Sequence, residues 1–462
     1  MARRLVFLFV ALAAGAAAAF LLRPAGRPAD HSYPGDNVLL ISVDTLRADR
    51  LSNYGYSRAT SPSIDALARR AITFERAYAP RGMTWPSLAT MLTSLAPSTT
   101  NLRWNGQYLD PEVATVIGLA HDGGYRTAAF TGGSVCNLAR SREEFDERQC
   151  GDDVAITRAA IEFFRANATG RFFAWVHLMA PHAPYNPPAA HDLFTRKDYA
   201  GPVSRERVFL DGIVLRQADL SPDDLAEVNG LYDGEVHFAD AQVGALMAAL
   251  EQEGLAARTV VVFVADHGED LWQHNRYLYH ECSIYESVLR IPMIVALPDG
   301  AGAGTRVSRI VAMADVTPTL AKLVGLPLLS SFEGKSLLQQ PGGGDARAAD
   351  GGDAIASSEW YSADSHESMQ TVRTSRWRYI SNPDGITPKC APEGDYYKVA
   401  REELYDHSVD PDEKHNVVAE HPELAKALST LTAATRAASP DSAPAVIDEK
   451  LKGELRSFGY LQ

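Results

Sequence analysis

Two apolar runs in this chain end in aspartate. Asp44 closes Asn37 to Asp44 (NVLLISVD), and Asp266 closes Thr259 to Asp266 (TVVVFVAD) with His267 directly behind it. Each run reads as a buried strand, and in an open α/β sheet ligands gather beyond the carboxyl ends of the strands. Two carboxylates and an imidazole brought together there suit a divalent cation, because the carboxylates offset its charge. A lone aspartate at a strand end more often forms a turn or caps a helix. The Asp266-His267-Gly268-Glu269 sequence argues against that reading, since the run ahead of it is so plainly a core strand. The predicted cofactor is one divalent metal ion. One nitrogen with several oxygens favours manganese or calcium slightly over magnesium or zinc.

A third element is Met83 to Ser94 (MTWPSLATMLTS). Thr84 stands where a helix begins, with Pro86 in the first turn, where its missing N–H costs nothing. A hydroxyl at a helix N-terminus lies among N–H donors, a natural place for a phosphate or sulfate group. If the cation also contacts the Thr84 oxygen, it lowers the hydroxyl pKa and produces a nucleophile. The plainer role for such a threonine is to cap the helix.

The elements that must position these residues alternate between strand and helix. Arg126 to Thr131, Phe172 to Leu178 (FFAWVHL) and Pro292 to Leu297 read as further strands. Ser63 to Arg70, Ser87 to Thr93, Ala155 to Ala166 and Leu225 to Glu251 read as helices. That order predicts an α/β fold, a doubly wound, mostly parallel sheet flanked by helices. Composition changes at Gln339 to Asp353 (QQPGGGDARAADGGD), a Gly/Ala/Asp linker or loop. Beyond it, Met369 to Arg373, Trp377 to Ser381 and a helical tail from Pro422 predict a small C-terminal α+β subdomain. The expected organisation is 1–34 as a leader or anchor, 35–338 as the catalytic domain, 339–354 as a flexible loop and 355–462 as the subdomain.

Bulk properties narrow the function. The 462 residues are 46% hydrophobic and 22% charged, with a formal net charge of -14, which excludes the basic stripe that nucleic-acid binding needs. An acidic surface does not exclude anionic substrates, because a bound cation can reverse the field inside a pocket. Arg3 and Arg4 precede an apolar run from Leu5 to Leu22 broken only by Gly15. This is a signal peptide or a single-pass membrane anchor, and either one sends the body across the membrane. Ala16 to Ala19 offer a cleavage site; Phe20, Leu21 and Leu22 continue the run past them, which favours an anchor. In an oxidising compartment, Cys136 and Cys150 form a plausible disulfide, and Cys282 and Cys390 either pair or stay buried thiols.

Four segments taken in order resemble the motifs of the sulfatase family of the alkaline-phosphatase superfamily. They are Ile41 to Tyr56 (ISVDTLRADRLSNYGY), Thr84 to Ser87 (TWPS), Pro181 to Tyr185 (PHAPY) and Ala265 to Asp270 (ADHGED). The resemblance spans about Asn37 to Val324 and resumes at Glu403 to Val417 (ELYDHSVDPDEKHNV). It implies Asp44, Asp266 and His267 as metal ligands and Thr84 as both nucleophile and additional ligand. It further implies that His182 and His280 contact the transferred group or assist the leaving group. His177 lies inside a strand, as a supporting residue or core. His274 falls in the loop before His280, and Arg47 either holds an anion or pairs with a nearby acid.

Two departures bear on the chemistry. Sulfatases resemble Cys-x-Pro-Ser-Arg at the nucleophile and oxidise the cysteine to an aldehyde. Here the stretch reads Thr84-Trp85-Pro86-Ser87-Leu88, and oxidising a threonine would give a ketone. Asp44-Thr45 also stands where paired aspartates are usual, which favours a simpler one-metal site. The expectation is therefore an extracytoplasmic, metal-dependent hydrolase or transferase. It acts on a small-molecule, glycan-linked or lipid-linked anionic ester, with phosphate preferred to sulfate on the strength of the threonine. The alternatives are a sulfuric ester hydrolase without formylglycine and a non-catalytic binding protein that retains the fold.

Overall fold

The structure is a computed structural model that describes residues 32–205, 220–274, 278–338, 356–361, 368–387 and 398–437. Strands of Val, Ile and Leu without polar alternation cannot leave a face in water, so they settle at the centre of a sheet covered on both sides. β1 (Asn37–Val43), β5 (Phe172–Leu178) and β6 (Thr259–Ala265) are buried along their whole lengths. They lie side by side, with β1 in the middle and parallel to both neighbours.

Five more strands complete this sheet. They are β2 (Ile72–Tyr78), β3 (Arg126–Thr131), β4 (Glu147–Cys150), β9 (Arg290–Ala296) and β10 (Thr305–Ala312). The spatial order is β10-β2-β9-β6-β1-β5-β3-β4. Only β9 runs antiparallel to its neighbours, so the sheet is mixed and mostly parallel. The helices Pro62–Arg69, Asp153–Ala166 and Pro222–Gln252 pack together over the sheet, and Thr84–Thr93, Val116–Asp122 and Val316–Val324 form a second group. The strand order changes direction around β1, which is where an open α/β sheet forms its ligand crevice.

The small ribbon β7 (Asp270–Leu271) with β8 (Leu278–Tyr279) follows β6. A second, antiparallel sheet is built from β11 (Ala356–Tyr361), β12 (Ser368–Arg373), β13 (Trp377–Ser381) and β14 (Glu402–Asp406), with the helix Pro422–Ala437 packed on it. This is the expected C-terminal α+β unit, although β11 and β14 add strands that periodicity alone did not mark. The expected disulfide between Cys136 and Cys150 is not formed; both carry free thiols. Cys282 is disulfide-bonded, and Cys390 lies outside the described residues. The Leu5 to Leu22 run and the 339–354 loop also lie outside them. Among the described residues, no helix is long and apolar enough to cross a membrane.

A buried ion pair joins the second sheet to the first. Arg378 on β13 reaches Glu286 Oε2 at 2.6 Å with Nη2 and Glu413 Oε1 at 2.5 Å with Nε. His407 Nε2 lies 2.7 Å from the same Glu413 oxygen. Glu286, His407 and Glu413 are close enough to hold a metal ion, but the guanidinium already supplies their counter-charge. Burial alone would raise the Glu286 pKa, yet Arg378, His407 and Arg373 hold it well below the usual carboxylate range. Removing one partner strands the others without solvent. Arg378→Ala should therefore lower stability by about 3–5 kcal/mol, measured by denaturant unfolding; a loss under ~1 kcal/mol would contradict this account.

Candidate active site

β1 and β6 pair in register from Asn37↔Thr259 to Val43↔Ala265, so Asp44 and Asp266 leave the sheet as neighbours. The ladder continues one residue beyond the strands. Asp44 N donates to Leu178 O at 2.9 Å, and Asp266 N donates to Val43 O at 3.2 Å. Asp44, Asp266 and His267 are each 0% exposed, and one ligand atom from each lies within 4.8 Å of the others. His267 Nε2 is 3.8 Å from Asp44 Oδ1 and 3.6 Å from Asp266 Oδ2.

Those three atoms have no hydrogen-bond partner among the described residues. Buried polar atoms are almost always paired, so three that converge from two acids and an imidazole call for a ligand. Burial pushes the Asp44 carboxyl above its usual range; burial and then the nearby Asp44 charge push Asp266 to about 7. Two carboxylates about 4 Å apart repel by roughly 4 kcal/mol at an effective dielectric of about 20, and a divalent cation reverses that sign. The donor set fits such an ion.

The remaining lone pairs orient these side chains. Asp266 Oδ1 accepts from Thr45 N at 3.1 Å and from His267 N at 2.7 Å, which leaves Oδ2 for the centre. His267 Nδ1 lies 2.9 Å from Gly268 O, which fixes the ring with Nε2 directed to the acids. Gly268 is required by close approach, because a Cβ there would meet Ser287 O at 2.2 Å. Thr45 adopts a left-handed φ of 54° and is held there by Tyr232, whose hydroxyl donates to Thr45 O at 2.6 Å.

Thr84 is the first residue of its helix and does not cap it; Met83 occupies the cap position. The Thr84 hydroxyl is fully buried and donates to Asp44 Oδ2 over a long 3.5 Å contact. Part of the helix N-terminus is already engaged, since Trp85 N donates to Asn105 Oδ1 at 2.8 Å. His177 supports the same carboxylate. Its Nε2 lies 3.6 Å from Asp44 Oδ2 and its Nδ1 is 2.8 Å from Ser42 Oγ. Burial lowers its pKa to about 4, so it is a neutral imidazole at physiological pH.

His182 and His280 complete the group. The His280 ring lies 4.5 Å from that of His267 and 5.3 Å from that of His182, centroid to centroid. His280 Nδ1 is 3.1 Å from Glu269 Oε1, and Tyr279 stacks on its ring at 4.2 Å. His182 Nδ1 lies 2.7 Å from Ala183 O. Both rings thus have Nδ1 engaged. A cavity of about 660 Å³ opens beside His182, between Met179, Pro184, Glu235 and Phe238.

Arg47 and His274 are placed elsewhere. Arg47 forms a bidentate pair with Asp49 at 2.8 and 2.6 Å and donates to Glu269 O at 2.9 Å, so it serves an acid and the loop. His274 stacks on Tyr285 at 3.9 Å and contacts Asp412 O at 3.0 Å, tying the second part of the chain to the first. Sequence reading missed Glu269, Tyr232 and Asn105. Glu269 carried a signal, its place two residues after His267. The other two arrive from distant segments and carried none.

The fold and site define an ester hydrolase of the sulfatase and alkaline-phosphatase superfamily. A family model described as "Sulfatase" matches residues 36–326, and one described as "N-sulphoglucosamine sulphohydrolase, C-terminal" matches residues 268–438. The chain belongs to the sulfatase family. It is 25% identical to arylsulfatase K of Homo sapiens, over 92% of this chain and 86% of that protein. Its fold is similar to a phosphonate monoester hydrolase of Agrobacterium radiobacter (TM-score 0.68, 21% identity, 88% of this chain and 96% of that one). It is also similar to a protein solved with its substrate D-glucosamine-2-N,6-O-disulfate (TM-score 0.70, 20% identity, 90% and 100%).

If the three orphaned atoms hold a cation, Asp266→Asn should weaken Mn²⁺ or Ca²⁺ binding to the metal-stripped protein by at least about tenfold. Calorimetric titration checks this. Equal binding by both proteins would remove Asp266 from the ligand set.

Proposed function

We propose that this chain is an extracytoplasmic hydrolase that cleaves a phosphate or sulfate ester with Thr84 as nucleophile. The observation that carries the reading is the placement of the Thr84 hydroxyl: it caps nothing and donates to Asp44 beside the three orphaned atoms. Asp44, Asp266 and His267 would hold a divalent cation, with Thr84 within reach of it; when bound, such an ion neutralises oxygens of the ester and acidifies a nearby hydroxyl.

The chain's own residues perform the rest. Thr84 Oγ releases its proton toward Asp44 Oδ2, the acceptor it already faces, and forms a bond to phosphorus or sulfur. The bond from that centre to the leaving oxygen breaks as His182 or His280 protonates the oxygen. Water then attacks the Thr84 ester and gives one proton to the histidine, while the proton on Asp44 returns to Thr84 Oγ. Phosphate or sulfate leaves, and both the hydroxyl and the proton donor are restored. His177, held neutral by burial, steadies Asp44 without competing for the proton. A threonine cannot form the aldehyde on which formylglycine sulfatases depend, and this supports a phosphoester over a sulfate ester. The relationship to arylsulfatase K supports the sulfate alternative, so both esters belong in the assay.

The test uses metal-reconstituted protein with aryl phosphodiester, phosphomonoester and sulfate ester substrates. Thr84→Ala should lower kcat at least about 10³-fold while keeping its fold, and Thr84→Ser should retain measurable turnover. Full activity in Thr84→Ala would end the nucleophile assignment. For leaving-group protonation, His182→Ala or His280→Ala should cost about 10²-fold or more on alkyl esters and much less on p-nitrophenyl esters, whose anion needs no proton. Equal losses on both substrate types, in both variants, would assign the protonation elsewhere.

A further inference from the structure

The cavity beside His182 has an uneven charge. Its lining includes Asp152, Asp153 and Glu235 and, among the described residues, no lysine or arginine. The two aspartates are committed to backbone. Asp152 caps the helix Asp153–Ala166 by accepting from Ala155 N at 2.8 Å. Asp153 accepts from Met179 N at 2.8 Å and from Ala180 N at 2.9 Å.

Glu235 is different. It is 7% exposed, and Oε1 accepts from Asn186 N at 2.8 Å, while Oε2 holds no partner among the described residues. The cation in its surroundings, Arg205, is engaged by Asp192 Oδ2 at 2.5 Å and does not line the cavity. Phe238 stands one helical turn beyond Glu235 on the same wall, and an aromatic ring beside a carboxylate is a pair that recognises ammonium groups.

We propose that this cavity receives the leaving alcohol of the ester, and that Glu235 selects leaving alcohols that carry an ammonium group. This rests on the catalytic reading of Thr84 and His182, because His182 is the residue shared by the reacting centre and the cavity. An anionic leaving group would sit against three carboxylates with no lysine or arginine among the described lining residues to offset them, so the same wall rejects as well as attracts. Burial pushes the Glu235 carboxyl up to about 7, and an arriving ammonium also supplies the charge that keeps it ionised.

The test compares three matched leaving alcohols, ethanolamine, ethanol and glycolate, each as the phosphate monoester and the sulfate ester, on metal-reconstituted protein. The aminoethyl ester should show the highest kcat/KM and the carboxymethyl ester the lowest. Glu235→Gln should lower the aminoethyl-to-ethyl ratio of kcat/KM at least about tenfold. An unchanged ratio, or a preference for the carboxymethyl ester, overturns the proposal. A second measurement separates it from the catalytic reading. Calorimetric titration of Thr84→Ala with the same esters should show tighter binding of the aminoethyl ester, lost when Glu235→Gln is added. Selective binding without turnover in the wild type would defeat the catalytic reading and keep the cavity assignment; unselective binding would defeat the cavity assignment whatever the turnover.

Discussion

Two carboxylates sealed from solvent and set side by side are the constraint to which the rest of this molecule answers. The register of β1 on β6 forces Asp44 and Asp266 together, and the flanking strand β5 closes the other side of Asp44. No water spreads their charge, and each is 0% exposed. Without a counter-charge the arrangement destabilises the fold, as the raised pKa of both acids reflects. The strands therefore do more than form a core. They hold an unfavourable pair in place at full burial, where the field from a bound cation would be strongest.

Each acid divides its two oxygens in the same way. Asp266 turns Oδ1 to the backbone N–H groups of Thr45 and His267 and leaves Oδ2 open. Asp44 turns Oδ2 toward Thr84 and His177 and leaves Oδ1 open. The division fixes both rotamers, so the open oxygens and His267 Nε2 converge on one point. Thr45 matters here through its backbone. Its left-handed conformation delivers the N–H that Asp266 needs, and its side chain adds no third charge to the cluster.

The strand-end residues were legible because runs such as TVVVFVAD have no polar alternation and can only be buried, which puts their last residue at the sheet's edge. Helix boundaries were less legible: sequence reading began the long helix at Leu225, whereas it starts at Pro222 behind a capping box at Ser221. Strand direction was not legible: β9 is as apolar as β1, and nothing in its composition marks it as antiparallel. β2 (ITFERAY) was passed over because Glu75 and Arg76 interrupt it, although its ends are buried. His182 and His280 were named through resemblance to a family, whereas Asn105 and Tyr232 act across long sequence separations that no local pattern records.

One helix explains how loops so far apart come to one place. Pro222–Gln252 is buried along much of its length, yet it carries polar residues that each hold a different segment. Tyr232 bonds to Thr45 O and Arg47 N. Asp233 takes Arg50, Tyr56 and Arg58. Glu235 holds Asn186 N in the loop that follows His182, and Asp240 caps the helix Pro62–Arg69 through Ser63 N and Ile64 N. A buried polar group without a partner costs about 1–3 kcal/mol, so each of these contacts favours one loop conformation over its alternatives. The helix thus sets the loop after Asp44, the His182 loop and the cavity wall together. Its apolar residues bind it to the sheet, and its polar residues transmit that rigidity to the loops around Asp44 and His182.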